Sequence, residues 1–464
     1  TNRHVGDAAT QALTIQNLAA TDGYSEQLND SFGTPTGIGV ITNGGSLNLL
    51  VAGSSSSSAM AVGIDTASAG AKSGTVAVNY QSDGSGTSGL AAIGAGSQTV
   101  TVSGSVYRLA QATITNAADF NFGNVLVNSG PITKTLSISN TATADGFSEA
   151  LNAAFGSFTN NGAGIFANNG GTITGLLAGQ TNAAAMTVTM TPTNAGTINA
   201  SVQLQFASNG TAIGNGLGVT PLSPQDLPLT VTISGVAGNL AQASAATPNP
   251  VNFGKFRVGD AAPAPQALTI GNIATAPAEG LNASIATASS GFSATGAFTS
   301  LAPGATNTTT LAVGFTDTAT AGAKSGTATI ALASDGTFNS GVPTPLAPQT
   351  INLNAEVYRL AQASVHTPEP VTLANQRVGG TATQALSLTN TAAADGYSER
   401  LNASIGGASA GITASGSFNL LAAGTTDNTS LRVGVDTTTA GAKSGTATIT
   451  LQSDGTGTSG FSAL

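Results

Sequence analysis

The chain has 464 residues, of which 7% are charged and 5% aromatic. It contains no Cys or Trp, and 12 Lys and Arg against 21 Asp and Glu leave a formal net charge of −9. Single, scattered cations on an acidic chain argue against a nucleic-acid partner, and no run of about 20 apolar residues is present to insert into a membrane. A chain rich in Ala, Thr, Ser, Asn and Gly invites a disordered reading, because weak apolar burial does not offset ordering entropy. Alternation argues the other way. TVAVNY (75–80), TKTLSISN (133–140) and TATITL (446–451) carry small or branched apolar residues at every second position, as half-buried strands require. Zero cysteines and a low-charge, Thr/Ser/Asn/Gly-rich surface fit an oxidising exterior, so the expected location is extracellular or cell surface.

In chain order, the first landmark is a Val, a polar turn and an alternating strand ending in Asn: HVGDAATQALTIQN (4–17), LVNSGPITKTLSISN (126–140), RVGDAAPAPQALTIGN (257–272) and RVGGTATQALSLTN (377–390). The closing Asn residues are spaced by 123, 132 and 118 residues, so four copies are present. A Leu-Asn pair follows at Leu28-Asn29, Leu151-Asn152, Leu281-Asn282 and Leu401-Asn402. After an LLAG-type turn and another strand comes AGAKSGT at Ala69, Ala321 and Ala440, with NAGTINA at Asn194 in the second copy; its glycines suggest a tight connection. The next strand closes in SDG at Ser82, Ser334 and Ser453, or SNG at Ser208, a hairpin-type signal. QTVTVSGSVY (98–107), LPLTVTISGV (227–236) or QTINLNAEVY (349–358) completes the copy.

About seven short strands per repeat, with Gly, Pro, Asn and Asp turns and almost no helix, predict an all-β chain of tandem immunoglobulin-like β-sandwich repeats forming an elongated array. The expected boundaries are 1–107, 108–237, 238–358 and 359–464. YRLAQA at Tyr107 and Tyr358, and NLAQA at Asn239, run from one repeat's last strand toward the next repeat, leaving almost no free linker and implying a stiff rod. Repeat 1 lacks the opening strand found elsewhere as TPNPVNFG (247–254) or TPEPVTLA (367–374), and repeat 4 lacks a closing strand. Either the array is longer than these 464 residues or a neighbouring subunit supplies a strand. The expected partners are therefore adjacent repeats, or copies of the chain, through end strands.

FNFGNVLVNSGPITKTLSISNTATA (120–144) followed by LLAGQTNAAAMTVTMTPTNAGTINASVQLQFASNG (176–210) resembles the bacterial choice-of-anchor D repeat, which is related to the Hydin-like immunoglobulin-fold domains. VNFGKFRVGD (251–260) and LAPG (301–304) extend the likeness to repeat 3, and repeats 1 and 4 share it more loosely. The matched positions are turns and core residues. The resemblance implies a part of a long secreted surface protein and assigns no site.

Chemistry is sparse. His4 and His366 have no counterparts in other repeats and read as surface strand residues. Six Glu, mostly one per repeat, give no paired carboxylates for glycoside hydrolysis, so no catalytic residue is expected. The most distinctive motif is DGYSEQLN (22–29), DGFSEALN (145–152) and DGYSERLN (395–402). Asp22, Glu26, Asp145, Glu149, Asp395 and Glu399 would be its calcium ligands, but two carboxylates fall short of the six to eight oxygens calcium takes. The preferred reading is a turn whose aromatic (Tyr24, Phe147 or Tyr397) covers the core edge, with no cofactor; repeat 3 keeps only Leu-Asn, in APAEGLN (276–282). Lys72, Lys324 and Lys443 lack the surroundings of a phosphate loop. Ser54 to Ser58 and the acceptor sequons at Asn307 and Asn428 suit polar loops or attached sugar, and surface glycans are the remaining partner class. These features point to a structural protein that builds a rod, sheath, filament or matrix, with an adhesin stalk or sugar-binding module as the alternative.

Overall fold

The computed structural model describes residues 1–160, 162–222 and 230–464, and the chain divides into two compact units, Thr1–Ala237 and Gly238–Leu464. It is an all-β protein of immunoglobulin-like sandwiches. Two short 3-10 turns, Ala117–Phe120 and Thr211–Ile213, are the helical elements among the described residues, and no helix is long and apolar enough to cross a membrane. The Leu227–Leu229 part of the strand expected over 227–236 lies outside the described residues.

Repeat 3 shows the architecture in full. A five-stranded sheet runs in the order Val251–Arg257, Thr344–Tyr358, Gly322–Ser334, Leu281–Ala288, Ala297–Leu301 and faces a three-stranded sheet of Gln266–Gly271, Thr306–Phe315 and Phe292–Thr295. First and last strands pair in parallel, Val251 opposite Leu353 and Arg257 opposite Tyr358. Alternation decides the inner face. Ile351, Leu353, Ala355 and Val357 all lie in the core while Thr350, Asn352 and Asn354 beside them are exposed. Phe253, Phe256, Phe292 and Phe315 fill the inter-sheet space with ring centroids 5.3–6.1 Å apart.

The first unit repeats this plan twice. In repeat 2, Asn121–Leu126, Thr230–Gly238, Gly196–Asn209, Ala150–Thr159 and Ile173–Leu176 form the large sheet, packed over Leu136, Met186, Met190 and Phe120. Repeat 1 uses Arg3–His4, Ile93–Tyr107, Gly70–Asp83, Gln27–Phe32 and Ser46–Leu50. In repeat 4, residues 371–377 and 441–447 are outside strands, whereas their repeat 3 counterparts both pair with Thr344–Tyr358.

Two local expectations change. AGAKSGT is the start of a long strand in repeats 1 and 3, not a turn. Gly70 and Gly322 enter the strands Gly70–Asp83 and Gly322–Ser334 at φ 134° and 138°, angles that side-chain-bearing residues rarely adopt. TKTLSISN is two strands, Ile132–Thr135 and Ile138–Asn140, in different sheets; repeats 3 and 4 place a register shift at the same point, Leu268/Ile270 and Leu386/Leu388. The closing Asn is thereby aimed inward. Asn140 Nδ2 donates to the carbonyls of Glu149 and Leu176, and Asn272 and Asn390 make the equivalent pairs with Glu279 and Leu301, and with Glu399 and Leu421.

Candidate functional site

Within each unit, the most elaborate polar chemistry lies where one repeat hands the chain to the next. The linker is an extended peptide fixed by main-chain bonds. Arg108 N–H donates to Phe147 O at 2.8 Å, and Glu149 N–H to Arg108 O at 3.0 Å. Arg359 and Asn239 occupy the same place, with Tyr397 O and Pro277 O accepting at 2.9 and 3.0 Å. Two residues on, the N–H groups of Ala110, Ala241 and Ala361 each donate to a serine Oγ at 2.8 Å: Ser208, Ser334 and Ser453, the serines of the SNG and SDG turns. Gln111, Gln242 and Gln362 then donate N–H to the closing Asn Oδ1 at 3.1 Å. The peptide is used as a strand, so no free tether remains.

Beneath the linker sits a fully buried glutamate. Glu149 accepts from Ser208 Oγ at 2.6 Å and Asn215 Nδ2 at 2.7 Å, and the third donor comes from the preceding repeat, His4 Nε2 at 2.9 Å. Glu399 accepts from Ser453 and Ser459, both at 2.7 Å, and Arg257 forks onto it, Nε to Oε1 at 2.8 Å and Nη2 to Oε2 at 3.2 Å. His4 and Arg257 side chains are only 16% and 14% exposed. Burying a carboxylate is costly unless other donors replace water; both junctions supply donors, and Arg257 adds an opposite charge. Arg257 also donates to Ser462 O at 2.7 Å and lies over the Phe461 ring at 5.0 Å.

A second layer covers the clasp. Arg108 pairs with Asp145 at 2.6 Å, and Arg359 with Asp395 at 2.7 Å. Those guanidinium contacts, followed by the N–H of Phe147 or Tyr397, hold both carboxyls below their ordinary range. The rings of Phe147 and Tyr397 pack on Tyr107 and Tyr358 of the preceding repeat, with centroids 5.7 and 5.5 Å apart.

Repeat 3 differs at its own entry. Glu279 is buried, and its N–H donates to Asn239 O as in the other copies, but Oε1 accepts only from Phe338 N–H at 2.9 Å and Oε2 has no partner. The second layer is missing as a set: Gly238 and Asn239 stand where the others have Tyr-Arg, and Pro277 where they have an aromatic. A Cβ at Gly238 would meet the Phe338 ring at 2.6 Å, so that ring occupies the space a linker side chain would need.

These positions correct four expectations. His4 lies in a strand as expected, but its side chain is turned onto Glu149 as a clasp donor and is not on the surface. His366 lies outside any strand, its Nε2 3.0 Å from Glu369 Oε2. The DG(Y/F)SE aromatic contacts the neighbouring repeat's tyrosine and not a core edge, except that Tyr24 is 93% exposed. Repeat 3 retains the glutamate as well as Leu-Asn.

As for the calcium candidates, Asp22 and Asp145 accept the N–H two residues on, as Asp395 does, while Glu26, Glu149 and Glu399 accept from serine or asparagine side chains. Among the described residues, no group of three or more His, Asp or Glu side chains is gathered as a metal cage. Lys324 turns back to Asp317 at 2.6 Å and holds that carboxyl below its ordinary range; Lys72 and Lys443 bond Ser68 and Thr439 in the same way. Asp30, which the sequence did not single out, is 2% exposed in the repeat 1 core. Neither oxygen has a partner, and burial raises its pKa to about 6.

Facing sheets repeated along the chain, with a parallel first-to-last strand pair in repeats 1 and 3 and buried glutamate clasps within each unit, define a serial immunoglobulin-like sandwich protein. No family model matches the sequence, and no curated protein matches it. Similar solved structures include a four-repeat protocadherin fragment, PcdhgB3 EC1-4, at 8% identity and TM-score 0.39, covering 97% of this chain and 94% of that one. Others are the human desmocollin-1 ectodomain, at 8% and 0.29 over 97% and 78%, and domains 4–9 of the surface layer protein SbsC, at 12% and 0.16 over 79% and 44%.

Proposed function

We propose that this chain is a non-catalytic structural repeat protein of a bacterial cell surface or extracellular matrix, a reading in keeping with its choice-of-anchor D resemblance. It works by serial sandwiches whose junctions within each unit are clasped, so that it builds a filament, sheath or matrix. The observation that carries this reading is the buried glutamate clasp: two fully buried carboxylates are each bonded by a side chain of the preceding repeat. Those carboxylates are saturated by protein donors, which suits a fastener. Electron microscopy of the native assembly tests the reading. Laterally or serially joined filaments are expected, and separate compact monomers with no higher-order contact would overturn it.

A further inference from the structure

In repeat 3 the first strand, Val251–Arg257, runs parallel to the last, Thr344–Tyr358. Both therefore end on the same side, Arg257 opposite Tyr358, where the chain continues into repeat 4. Two side chains of the first strand leave repeat 3 at that end. Lys255 Nζ donates to Thr458 O at 3.2 Å, and Arg257 reaches Glu399, Ser462 O and the Phe461 ring, all of them groups of repeat 4. Among the described residues, every hydrogen bond of the Arg257 guanidinium goes to repeat 4. The first strand is thus attached to the next repeat by its side chains, while the last strand is attached by the main chain.

This double attachment decides where tension goes. Pulling on the chain before Val251 and beyond Tyr358 slides the two parallel strands along each other and loads their bonds together. The clasp adds a shorter route. Load in Val251–Arg257 crosses the guanidinium to Glu399 and passes straight into the strand Arg400–Gly406, which begins at the next residue. Residues 258–398 lie outside that route, so they are not stretched until Arg257 leaves Glu399. Separation is costly for the same reason that the pair is tight. Glu399 is fully buried and Arg257 is 14% exposed, so parting them leaves a charge without partner or water. A solvated surface pair would offer no comparable barrier.

We propose that the Arg257–Glu399 clasp is a load-bearing bolt: it carries tension from the first strand of repeat 3 directly into repeat 4 and shields residues 258–398 from it. Lys255 is a lesser tie through Thr458 O. The use of such a bolt rests on the structural reading above, but its mechanics are a property of one pair in one molecule and are measured without any filament, so the two fail separately.

The chain contains no cysteine, so Ala245→Cys and Ala408→Cys, both at exposed positions, give the 464-residue chain two defined handles for an optical trap. The readout is the lifetime at constant force before the first large extension between them. Arg257→Ala should shorten it about 10- to 100-fold, and Arg257→Lys, which keeps the charge but loses the fork, about 3- to 10-fold. Glu399→Gln should also shorten it, by about 3- to 10-fold. The double variant Arg257→Ala, Glu399→Gln should last at least as long as Arg257→Ala alone, because both substitutions remove the same pair. Since the guanidinium bonds only repeat 4, exchange protection of Thr344–Tyr358 without force should be unchanged in Arg257→Ala. Equal lifetimes for wild type and Arg257→Ala, or single effects that simply multiply in the double variant, would overturn the proposal. So would lost protection of Thr344–Tyr358, which would make the shorter lifetime a folding defect of repeat 3.

Discussion

Replacing Asp30 with alanine should stabilise repeat 1 at neutral pH, although it removes a charged residue from an acidic protein. The position is a core position: Ala153, Ala283 and Ala403 hold it in the other repeats, at 2%, 4% and 3% exposure. Asp30 lies opposite Tyr80 and Leu47 in the sheet, and burial lifts its pKa from 3.8 to about 6. A carboxyl with a raised folded-state pKa binds more protons folded than unfolded between those two values. Stability therefore falls as pH rises from about 4 to about 6, and the penalty is fully present at pH 7. A rise of about two pH units corresponds to about 3 kcal/mol. Asp30→Ala should recover about 2–3 kcal/mol at pH 7 and almost nothing below pH about 4. Because a chain of several sandwiches does not unfold in one step, the assay is hydrogen exchange of peptides from the strand Gly70–Asp83, compared at pH 4.5 and 7 after correction for intrinsic rates. Unchanged protection in the variant at pH 7, or wild-type repeat 1 stability that does not fall between those pH values, would refute the reasoning.

Arg257→Ala leaves Glu399 buried without its counter-charge and should cost repeat 4 about 3 kcal/mol, read as lost exchange protection around Phe461; His4→Arg should strengthen the first junction, because a guanidinium can fork onto both oxygens of Glu149. Glu399→Gln should destabilise by about 2 kcal/mol, whereas Glu279→Gln should be neutral or stabilising, since Oε2 of Glu279 has no donor to lose; urea unfolding of both variants compares them. Gly238→Ala should cost about 1–3 kcal/mol through contact with the Phe338 ring, and adding Phe338→Gly should restore most of the loss in a thermal melt. If the DG(Y/F)SE carboxylates serve only the clasps and turns, melting midpoints will be the same with calcium and with chelator; a drop of several degrees on chelation would reinstate a metal.

Much of this was legible in the sequence. Strict alternation in QTINLNAEVY fixes which residues enter the core, because successive side chains of a strand point to opposite faces. The recurrence of Leu-Asn and of the closing Asn marks positions where one side chain must satisfy several main-chain groups, and the short linkers anticipate the contacts between neighbouring repeats within each unit. The repeated glutamate was visible too, though in repeat 3 its spacing hid it: Asn272 precedes Glu279 by 7 residues, where Asn140 precedes Glu149 by 9.

Only the tertiary structure decided what those glutamates do. His4 meets Glu149 across 145 residues and Arg257 meets Glu399 across 142, and no local pattern couples them, because each partner lies in a different repeat and is brought close by the return of a whole sandwich. A sequence repeat records what every copy needs within itself. The fasteners between copies vary, a histidine in the first unit and an arginine in the second, so their pairing emerges only when the end of one repeat's first strand is set over the glutamate of the next.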